Sequence, residues 1–449
     1  MCDGKTKSTR IKPAGPRRLL KAAAGIAMMA ALLDGGAAWA LGAGSLDPSF
    51  GKGGIATTGT STNVVLPLAA IEQPGGDIVV VSQYRSASGT FLSLMRYLPN
   101  GTLDTRFGQN GTTLTAFDTG PGFSITPTQV ALLSSGDIVV VGSAANGGGS
   151  SGSPTFAFAL ARYTPNGALD TSFGTGGQVT TIFGGSAGAY VSAMLVDPNG
   201  NILVGGTNLI LGPTRATAKN FMVLARYKPN GTLDPTFGAG GIVQTIPTPD
   251  LGPSFSLVAL SNGSYLAVDD GTGALEFSST GVLQSMVTPG PVAVSTPPPG
   301  YAVSNTMLLQ PNGDSLVATT VQIARQRFDA QVVLYGETGA VDSSFNSAPF
   351  IFGTAVSKSE PVGIAVQSNG QIVVAGIAHT NTGPDELGLA RLNSDGELDP
   401  TFGIGGTVLT AFFPYTMLLQ TDGKIVVVGS SSVAGSSNTA VTLARYLTN

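Results

Sequence analysis

The sequence predicts an all-β fold made of repeated units, each of about 58 residues and four strands. Three features lead to this prediction. A Leu-Asp-x-x-Phe motif recurs about every 60 residues, a turn glycine recurs before apolar runs, and the two ends of the chain carry complementary parts of one repeat. Recurrence at a fixed spacing indicates a repeat architecture, so the fold class follows before any single strand is assigned.

The Leu-Asp-x-x-Phe motif follows a strand that ends in Arg-Tyr or a relative of it. Full copies stand at Leu46–Phe50, Leu103–Phe107, Leu169–Phe173, Leu233–Phe237 and Leu398–Phe402. A copy with Val for Leu stands at Val341–Phe345, and a degenerate copy at Leu283–Gln284. A repeat of this length indicates a solenoid, a propeller or an array.

The interval after Phe173 shows the four strand-like segments of one unit. They are Gly177–Thr181, Tyr190–Val196, Asn201–Gly206 and Phe221–Tyr227. The third segment is nearly continuous in apolar residues, as expected for a strand covered on both faces. An Asn-Gly turn precedes it and supplies a residue suited to positive φ. Beyond the first forty residues, no segment has a helical period long enough for a helix.

The turn glycine before the apolar strand gives an independent count of the units. It recurs as Gly76, Gly136, Gly200, Gly263, Gly313, Gly370 and Gly423. Seven glycines predict seven units, and β-branched runs bounded by Gly and Asn turns at even spacing favour an all-β fold.

The two ends of the chain predict closure. Thr442–Tyr446 ends the chain partway through a repeat, and Gly44–Gly51 supplies the part that should follow. An open solenoid, which is the alternative, needs a polar cap at each end. We therefore predict one domain over residues 41–449, a seven-bladed β-propeller closed by pairing of the N- and C-terminal parts.

Two stretches, Leu224–Gly238 and Gln420–Gly429, resemble the delta-60 repeat family of secreted bacterial proteins. The resemblance covers essentially all of the chain after residue 40. It implies a propeller-like exported product, and it brings no catalytic residues. Units four and five depart from the pattern, because Glu276 and Leu334 stand where the arginine is expected and Gln284 replaces the aspartate.

Residues 1–40 are predicted to be a secretory signal peptide. A basic start precedes the apolar run Ala22–Leu33, and Ala38–Ala40 offers a small-x-small cleavage site. We expect cleavage after Ala40 and a secreted or periplasmic product. The mature chain is expected to have no membrane span.

Cleavage would remove Cys2, the chain's single cysteine, together with seven basic and two acidic residues. The mature chain then has 15 Lys and Arg against 24 Asp and Glu, a net charge near -9. No basic stretch remains, which disfavours nucleic-acid binding. Without thiolates and with one histidine, the chain is expected to hold no metal and no cofactor.

Five arginines each lie eight residues before a motif aspartate. The pairs are Arg96 with Asp104, Arg162 with Asp170, Arg226 with Asp234, Arg391 with Asp399 and, across the closure, Arg445 with Asp47. We interpret them as structural supports of identical units, and the alternative is a ring of binding charges. Unit five keeps Asp342 without its arginine.

The motif phenylalanines are predicted to fill the core between neighbouring sheets. They are Phe50, Phe107, Phe173, Phe237, Phe345 and Phe402.

In an antiparallel unit, successive turns alternate between two ends. The Asn-Gly turns and the motif therefore share one face, and irregular loops share the other. Those loops are predicted at Ala144–Thr155, Asn208–Asn220, Pro289–Tyr301, Thr319–Asp329 and Ile377–Glu386. Candidate binding residues outside the repeat pattern are Arg85, Arg215, Lys219, Arg325, Arg327 and His379.

The favoured function is a binding or surface-interaction module that uses this irregular face. The expected partner is a protein or glycan of the cell envelope. A propeller hydrolase, lactonase-like or glycan-directed, is the first alternative, and a purely structural surface protein is the second. Two Gly-x-Ser-x-Gly matches, Gly148–Gly152 and Gly184–Gly188, lack the helix that follows a nucleophile elbow, and any Ser-His pair would need His379.

Overall fold

The all-β prediction is confirmed. The computed structural model describes residues 41–449 apart from 60–62, 88, 118–123, 146–155, 184–185, 211–218, 246–254, 261, 270–273, 288–305, 311, 326, 337–340, 346, 355, 382 and 434–437. These residues form 27 strands and no helix. Among them, accordingly, no helix is long and apolar enough to cross a membrane. The predicted signal peptide lies outside the described residues.

Strand β1 (Ile55–Thr58) comes first along the chain and pairs with its C-terminal end. Four four-stranded antiparallel sheets follow in chain order. Unit one has β2 (Val64–Glu72), β3 (Ile78–Ser86), β4 (Gly89–Tyr97) and β5 (Thr112–Thr115). Unit two has β6 (Ser124–Leu132), β7 (Ile138–Ala145), β8 (Phe156–Tyr163) and β9 (Gln178–Ile182). Unit three has β10 (Ser186–Val196), β11 (Ile202–Ile210), β12 (Lys219–Tyr227) and β13 (Ile242–Gln244). Unit four has β14 (Phe255–Ala259), β15 (Tyr265–Asp269), β16 (Ala274–Phe277) and β17 (Leu283–Val287).

Units five and six share one seven-stranded sheet. Unit five has β18 (Thr306–Leu309), β19 (Ser315–Ala324) and β20 (Arg327–Tyr335). Unit six has β21 (Val356–Val366), β22 (Ile372–Thr380), β23 (Glu386–Leu392) and β24 (Thr407–Thr410). A single parallel pair, Phe328 with Lys358, joins β20 to β21.

Four strands were expected in every unit, whereas units five and six share one sheet of seven strands. Where a fourth strand of unit five is expected, only Phe350 pairs with Ala330. Pro349 interrupts this stretch and has no backbone N–H to donate to a ladder. Unit five is therefore limited to three strands.

Unit seven consists of β25 (Phe413–Leu419), β26 (Ile425–Ser432) and β27 (Thr439–Tyr446), with β1 as its outer strand. In the antiparallel ladder Ile55 lies opposite Ala444 and Thr58 opposite Val441. The N- and C-terminal parts therefore complete one sheet, as the split repeat predicts.

The short strand after the motif pairs with the strand before the motif, so it belongs to the preceding sheet. The sequence analysis placed this short strand first in the next unit, and that assignment was wrong. For example, β9 pairs with β8 and not with β10. The motif itself causes this, because the N–H of Asp170 donates to the carbonyl of Arg162 and turns the chain back beside the strand it left.

All seven turn glycines have the positive φ that the sequence predicts, between 78° and 91°. In each such turn the glycine N–H donates to a carbonyl three residues earlier, as Gly76 does to Gln73. Other residue types rarely adopt this φ, so the glycine determines where the first strand of a unit turns into the second.

The core lies between neighbouring sheets. Six clusters of buried side chains join units one and two, two and three, three and four, five and six, six and seven, and seven and one. None of these six clusters of described residues joins units four and five. First strands of neighbouring units contact one another in several places, as β2 does with β6 and β25.

Candidate functional site

The uniform face of the molecule, here called the motif face, is built from the arginine and aspartate of the motif. The arginine nitrogen and aspartate oxygen are 2.6–2.9 Å apart in all five pairs. The aspartate also caps a turn, since Asp170 Oδ1 accepts the backbone N–H of Ser172 at 3.0 Å. Asp342 caps Ser344 in the same way without an arginine.

The same hydrogen bonds shift the pKa of the motif carboxyls. The hydrogen bond from the Arg106 side chain lowers the pKa of Asp104 to about 2, although burial raises it. At Asp170 the hydrogen bond from the Ser172 side chain lowers the pKa most. Both carboxyls are therefore ionised acceptors with their partners already in place, which suits a structural role.

Each motif arginine also reaches the next unit. Its Nη1 donates at 2.5–2.9 Å to a turn carbonyl of the following unit, and the acceptors of Arg96, Arg162, Arg226, Arg391 and Arg445 are Pro165, Pro229, Ser279, Thr448 and Pro99. The guanidinium lies over the motif phenylalanine at 4.6–4.9 Å from the ring centre. The bond from Arg445 to Pro99 connects unit seven to unit one.

The phenylalanine completes this connection. Phe50, Phe107, Phe173, Phe237 and Phe402 are fully buried. Where the next unit's turn brings a glycine over the ring, as Gly167 lies over Phe107, a Cβ would clash with the ring. We call the arginine, its acceptor carbonyl and the phenylalanine an inter-unit joint. The predicted core position is confirmed for these five rings, whereas Phe345 is only half-buried.

Units four and five have no motif arginine, so neither unit forms this joint with the unit that follows it. Glu276 replaces the arginine in unit four and accepts hydrogen bonds from Ser264 and Ser285. Leu334 replaces it in unit five, where the shared sheet connects units five and six instead. Among the described residues, neither an arginine joint nor one of the six core clusters connects unit four to unit five.

Four of the six candidate binding residues lie in strands, so their assignment to loops was wrong. Arg85 lies in β3, Lys219 begins β12, Arg327 begins β20 and His379 lies in β22. The strands extend beyond their apolar runs, because backbone pairing does not require apolar side chains. Hydropathy alone therefore does not show where each strand ends. Arg325 lies in the turn between β19 and β20, and Arg215 lies outside the described residues.

The contacts of these residues stay within their own units. Arg85 Nε donates to Gln83 at 2.8 Å, and Arg327 pairs with Asp329 at 2.9 Å. Arg327 also lines a cavity of about 280 Å³ with Phe350 and Leu398. Among the contacts of the described residues, none joins two of the six candidates, so they do not form one cationic site there.

His379 is the candidate with the most developed surroundings. Its Nε2 lies 3.2 Å from Glu360 Oε2, and its Nδ1 lies 3.1 Å from Asp385 Oδ1. Lys358 Nζ is 2.7 Å from the same Glu360 oxygen. These four residues are called the unit-six cluster. Their side chains are 16–36% exposed, so they are accessible yet fixed by one another.

The strand register positions the cluster. Lys358 lies opposite His379 across the β21–β22 ladder, and Glu360 lies two residues further along β21. Because side chains alternate along a strand, His379 shares its face of β22 with Val373 and Ala375, which pack against unit seven. The cluster therefore lies on the side of unit six that faces unit seven, at the end away from the motif face.

Contacts within the cluster also shift the pKa of Glu360. The hydrogen bond from His379 is the largest influence on Glu360, and with Lys358 it lowers the pKa of this carboxyl to about 2, although burial raises it. Perturbed groups outside a repeated motif are a feature of functional sites. The sequence identified only His379, because nothing in the local sequence links it to Lys358, Glu360 or Asp385.

Aromatic pairs lie at the same end of the molecule. Phe413 and Tyr415 of β25 have ring centres 5.1 Å apart, and Phe156 packs on Tyr190 at 5.6 Å. Tyr190 is 44% exposed. These rings stand outside the repeat motif, unlike the buried tyrosines that end the third strands.

The remaining chemical motifs of the sequence give no site. Gly148–Gly152 lies outside the described residues, and the serine of Gly184–Gly188 begins strand β10, with no helix after it. Among the described residues, no group of three or more His, Cys, Asp or Glu side chains could hold a metal ion.

A family model described as "Domain of unknown function (DUF5122) beta-propeller" matches five segments of the chain. They are residues 73–107, 133–173, 198–237, 367–402 and 420–449. These segments fall in units one, two, three, six and seven, which are the units with a motif arginine. The matches support a β-propeller repeat family. A comparison with curated proteins gives no match.

Solved structures are similar only at low identity. A Dyadobacter fermentans protein of unknown function is 11% identical with a TM-score of 0.45, covering 88% of this chain and 100% of that one. A Penicillium chrysogenum alpha-L-arabinanase complexed with arabinobiose is 12% identical with a TM-score of 0.40, covering 90% and 97%. A family PL25 ulvan lyase is 11% identical with a TM-score of 0.49, covering 88% and 96%. No substrate is inferred for this chain from likenesses of this strength.

Proposed function

We propose that the chain is exported and closes into a seven-bladed β-propeller of delta-60-type repeats. It acts as a binding or surface-interaction module through the face opposite the motif face, which we call the irregular-loop face. Its partner is a polar component of the cell envelope. The basic and apolar leader at residues 1–40 supports export.

Two contacts support the closed ring. Strand β1 pairs with β27, and Arg445 reaches Pro99, so unit seven is tied both to the start of the chain and to unit one. Seven turn glycines with positive φ support seven blades. A closed ring also leaves no sheet stack with an uncovered end.

The observation that carries the binding role is the contrast between the two faces. On the motif face, the same arginine, aspartate and phenylalanine recur, and their polar atoms already bond to one another. At the opposite end, unit six has the cluster of Lys358, Glu360, His379 and Asp385, which is not repeated in the other units among the described residues. Partly exposed ion pairs contribute little to stability, so three charged residues gathered around a histidine in a chain with 11% charged residues favour a binding role.

A capture experiment tests this role. The mature chain, residues 41–449, is immobilised and incubated with cell-envelope extract. We expect the double variant His379→Asn, Asp385→Asn to lose most of the captured material, because it replaces both side chains of the contact between His379 and Asp385. The control Asp395→Asn, Asp422→Asn changes two exposed turn carboxyls on the motif face and should capture as the parent does. Equal capture by both variants would reject the site.

A hydrolase remains a second candidate because His379 is held between two carboxylates, an arrangement that orients an imidazole for proton transfer. It differs from the binding module in one measurable respect. An ester, lactone and glycoside substrate screen should then show turnover that His379→Asn abolishes. The binding module shows capture without turnover.

A further inference from the structure

We propose that the contact between His379 and Asp385 is a pH-sensitive switch, closed when the imidazole is protonated and open when it is neutral. The switch lies within the unit-six cluster, between strand β22 and the connection that follows it. The contacts of the cluster carry this inference. Its consequence for binding rests on the proposed function and adds regulation by pH to the same site.

Both ring nitrogens of His379 face a carboxylate oxygen. Nε2 lies 3.2 Å from Glu360 Oε2, and Nδ1 lies 3.1 Å from Asp385 Oδ1. An ionised carboxylate only accepts hydrogen bonds, so both contacts hold together only when each nitrogen carries a proton to donate. A neutral imidazole has one N–H and the imidazolium has two. The described arrangement is therefore that of the protonated ring.

Loss of one proton breaks the contact with Asp385 and keeps the contact with Glu360. The Glu360 side chain is 16% exposed and lies in a strand, whereas that of Asp385 is 36% exposed and lies in the connection before β23. A hydrogen bond is stronger where water is more fully excluded, so the remaining proton stays on Nε2, toward Glu360. The lone pair of Nδ1 then faces the Asp385 carboxylate, and the two acceptors repel each other.

The change is confined to a side chain. The Thr380 hydroxyl donates to the carbonyl of Pro384 at 3.0 Å, and it accepts the backbone N–H of Gly383 at 3.1 Å. These bonds do not involve the imidazole, so they hold the backbone of the connection in both states. Opening therefore turns the Asp385 carboxylate from the ring toward solvent.

The neighbouring charges act in opposite directions on the ring. Glu360 stays ionised where imidazoles titrate, between about pH 5 and 8, because the hydrogen bond from His379 and the contacts of Lys358 lower its pKa to about 2, although burial raises it. The Lys358 ammonium, 2.7 Å from the same Glu360 oxygen, opposes a second positive charge on the ring. The Asp385 carboxylate favours that charge.

The other elements around His379 contribute no charge on its side of unit six among the described residues. Glu386 begins β23 on the opposite face of the β22–β23 ladder. Tyr415 is the one ionisable side chain of β25, and it lies on the side facing unit one. Arg327 and Asp329 of β20 pair with each other. The charges that govern the switch are therefore those of the cluster itself.

The switch determines what the cluster offers to a partner. When His379 is protonated, its ring occupies Asp385, and the four side chains together carry no net charge. When His379 is neutral, the Asp385 carboxylate can accept hydrogen bonds from a partner, and the four side chains carry one negative charge. A partner that donates to Asp385 competes with the ring only in acid, so we expect capture to strengthen as the pH rises.

Nitrogen NMR of the imidazole tests the switch directly. His379 is the single histidine of the chain, so isotope-labelled histidine in residues 41–449 gives the signals of one ring. We expect the neutral ring to keep its proton on Nε2. We also expect the ring of Asp385→Asn to become neutral at a pH about 0.5 lower than in the parent, because an opposite charge is lost.

Asp395→Asn is the matched control, since it changes an exposed turn carboxyl on the motif face of the same unit, and its ring should titrate as in the parent. Melting curves across the pH range verify that each variant is folded. A neutral ring protonated on Nδ1, or equal titration midpoints in the parent and in Asp385→Asn, would overturn the switch.

Envelope capture at about pH 5.5 and about pH 8 tests the consequence. We expect the parent to capture about two- to fivefold more at the higher pH, the range that a partly exposed ion pair provides. His379→Gln keeps Asp385 without a titrating ring and should lose this dependence on pH.

The two measurements separate the switch from the function it rests on. If the ring titrates as expected and nothing is captured at either pH, the switch stands and the proposed binding role fails. If capture is equal at both pH values, or if His379→Gln keeps the dependence on pH, the binding role stands and its regulation by this switch is rejected.

Discussion

Replacing Arg96 with Met is expected to lower the free energy of unfolding by about 3 kcal/mol, because it removes the buried ion-pair partner of a carboxylate that is itself buried. Arg96 is 9% exposed and Asp104 is 2% exposed. The substitution also removes the hydrogen bond to Pro165 of unit two and the guanidinium over Phe107. Denaturant unfolding, followed by fluorescence and circular dichroism, measures the loss.

Arg106 provides a matched control for this variant. It pairs with the same carboxylate at 2.8 Å, but its side chain is 76% exposed. We expect Arg106→Met to cost less than about 1 kcal/mol, since exposed ion pairs contribute little. Equal costs for the two variants would show that the buried joint between units one and two adds no stability of its own.

Units four and five are expected to open first under native conditions, because among the described residues the boundary between them has neither the arginine joint nor a core cluster. Local opening follows local contact density, and each 1.4 kcal/mol changes protection tenfold. Val80 in β3 and Ala267 in β15 hold equivalent central positions in second strands, and both are buried. We expect the amide of Ala267 to exchange at least about 100-fold faster than that of Val80.

Native-state hydrogen exchange resolved by residue measures this difference. Exchange in unit one that is as fast as in unit four would contradict a role for the joint. A variant that restores the motif residues of unit four tests the same point by gain of stability. Glu276→Arg together with Gln284→Asp reintroduces the arginine and its aspartate, and slower exchange of unit four in that variant would show that this pair, and not the rest of the unit, sets the local stability.

The parts of the fold that repeat were accessible from the sequence. A turn glycine marks a backbone that needs positive φ, and an arginine eight residues before an aspartate marks a turn that folds back on its own strand. Gly76 and the pair of Arg226 with Asp234 behave as these rules require. Repetition makes such rules visible because the same local chemistry is needed in each unit.

The parts that do not repeat were less accessible. Lys358, Glu360 and His379 meet through the β21–β22 register, and a bulge between Val356 and Lys358 sets which side chains share a face. A shift of one residue would move every side chain to the other face, and hydropathy does not determine register in a strand with polar residues. Asp385 lies in the connection between β22 and β23, and no sequence rule predicts the course of that connection.

The strand grouping and the single sheet of units five and six also depended on tertiary contacts. The short strand β9 has few apolar residues of its own, and it is placed by the turn at Asp170 and by pairing with β8. The pair of Phe328 with Lys358 joins two units through one parallel contact. Such contacts leave no periodic pattern in the sequence.

Blocking one face at a time tests most directly whether function lies on the irregular-loop face. Residues 41–449 contain no cysteine, so one cysteine introduced into that segment can be labelled alone. Asn381→Cys lies beside Asp385 in the connection before β23, and Ser394→Cys lies in the exposed turn on the motif face of the same unit. Each variant is labelled with a polyethylene glycol maleimide, and envelope capture is measured. We predict that the label at position 381 abolishes capture and the label at position 394 leaves it unchanged. Capture lost only with the label at position 394 would contradict the proposed role of the irregular-loop face.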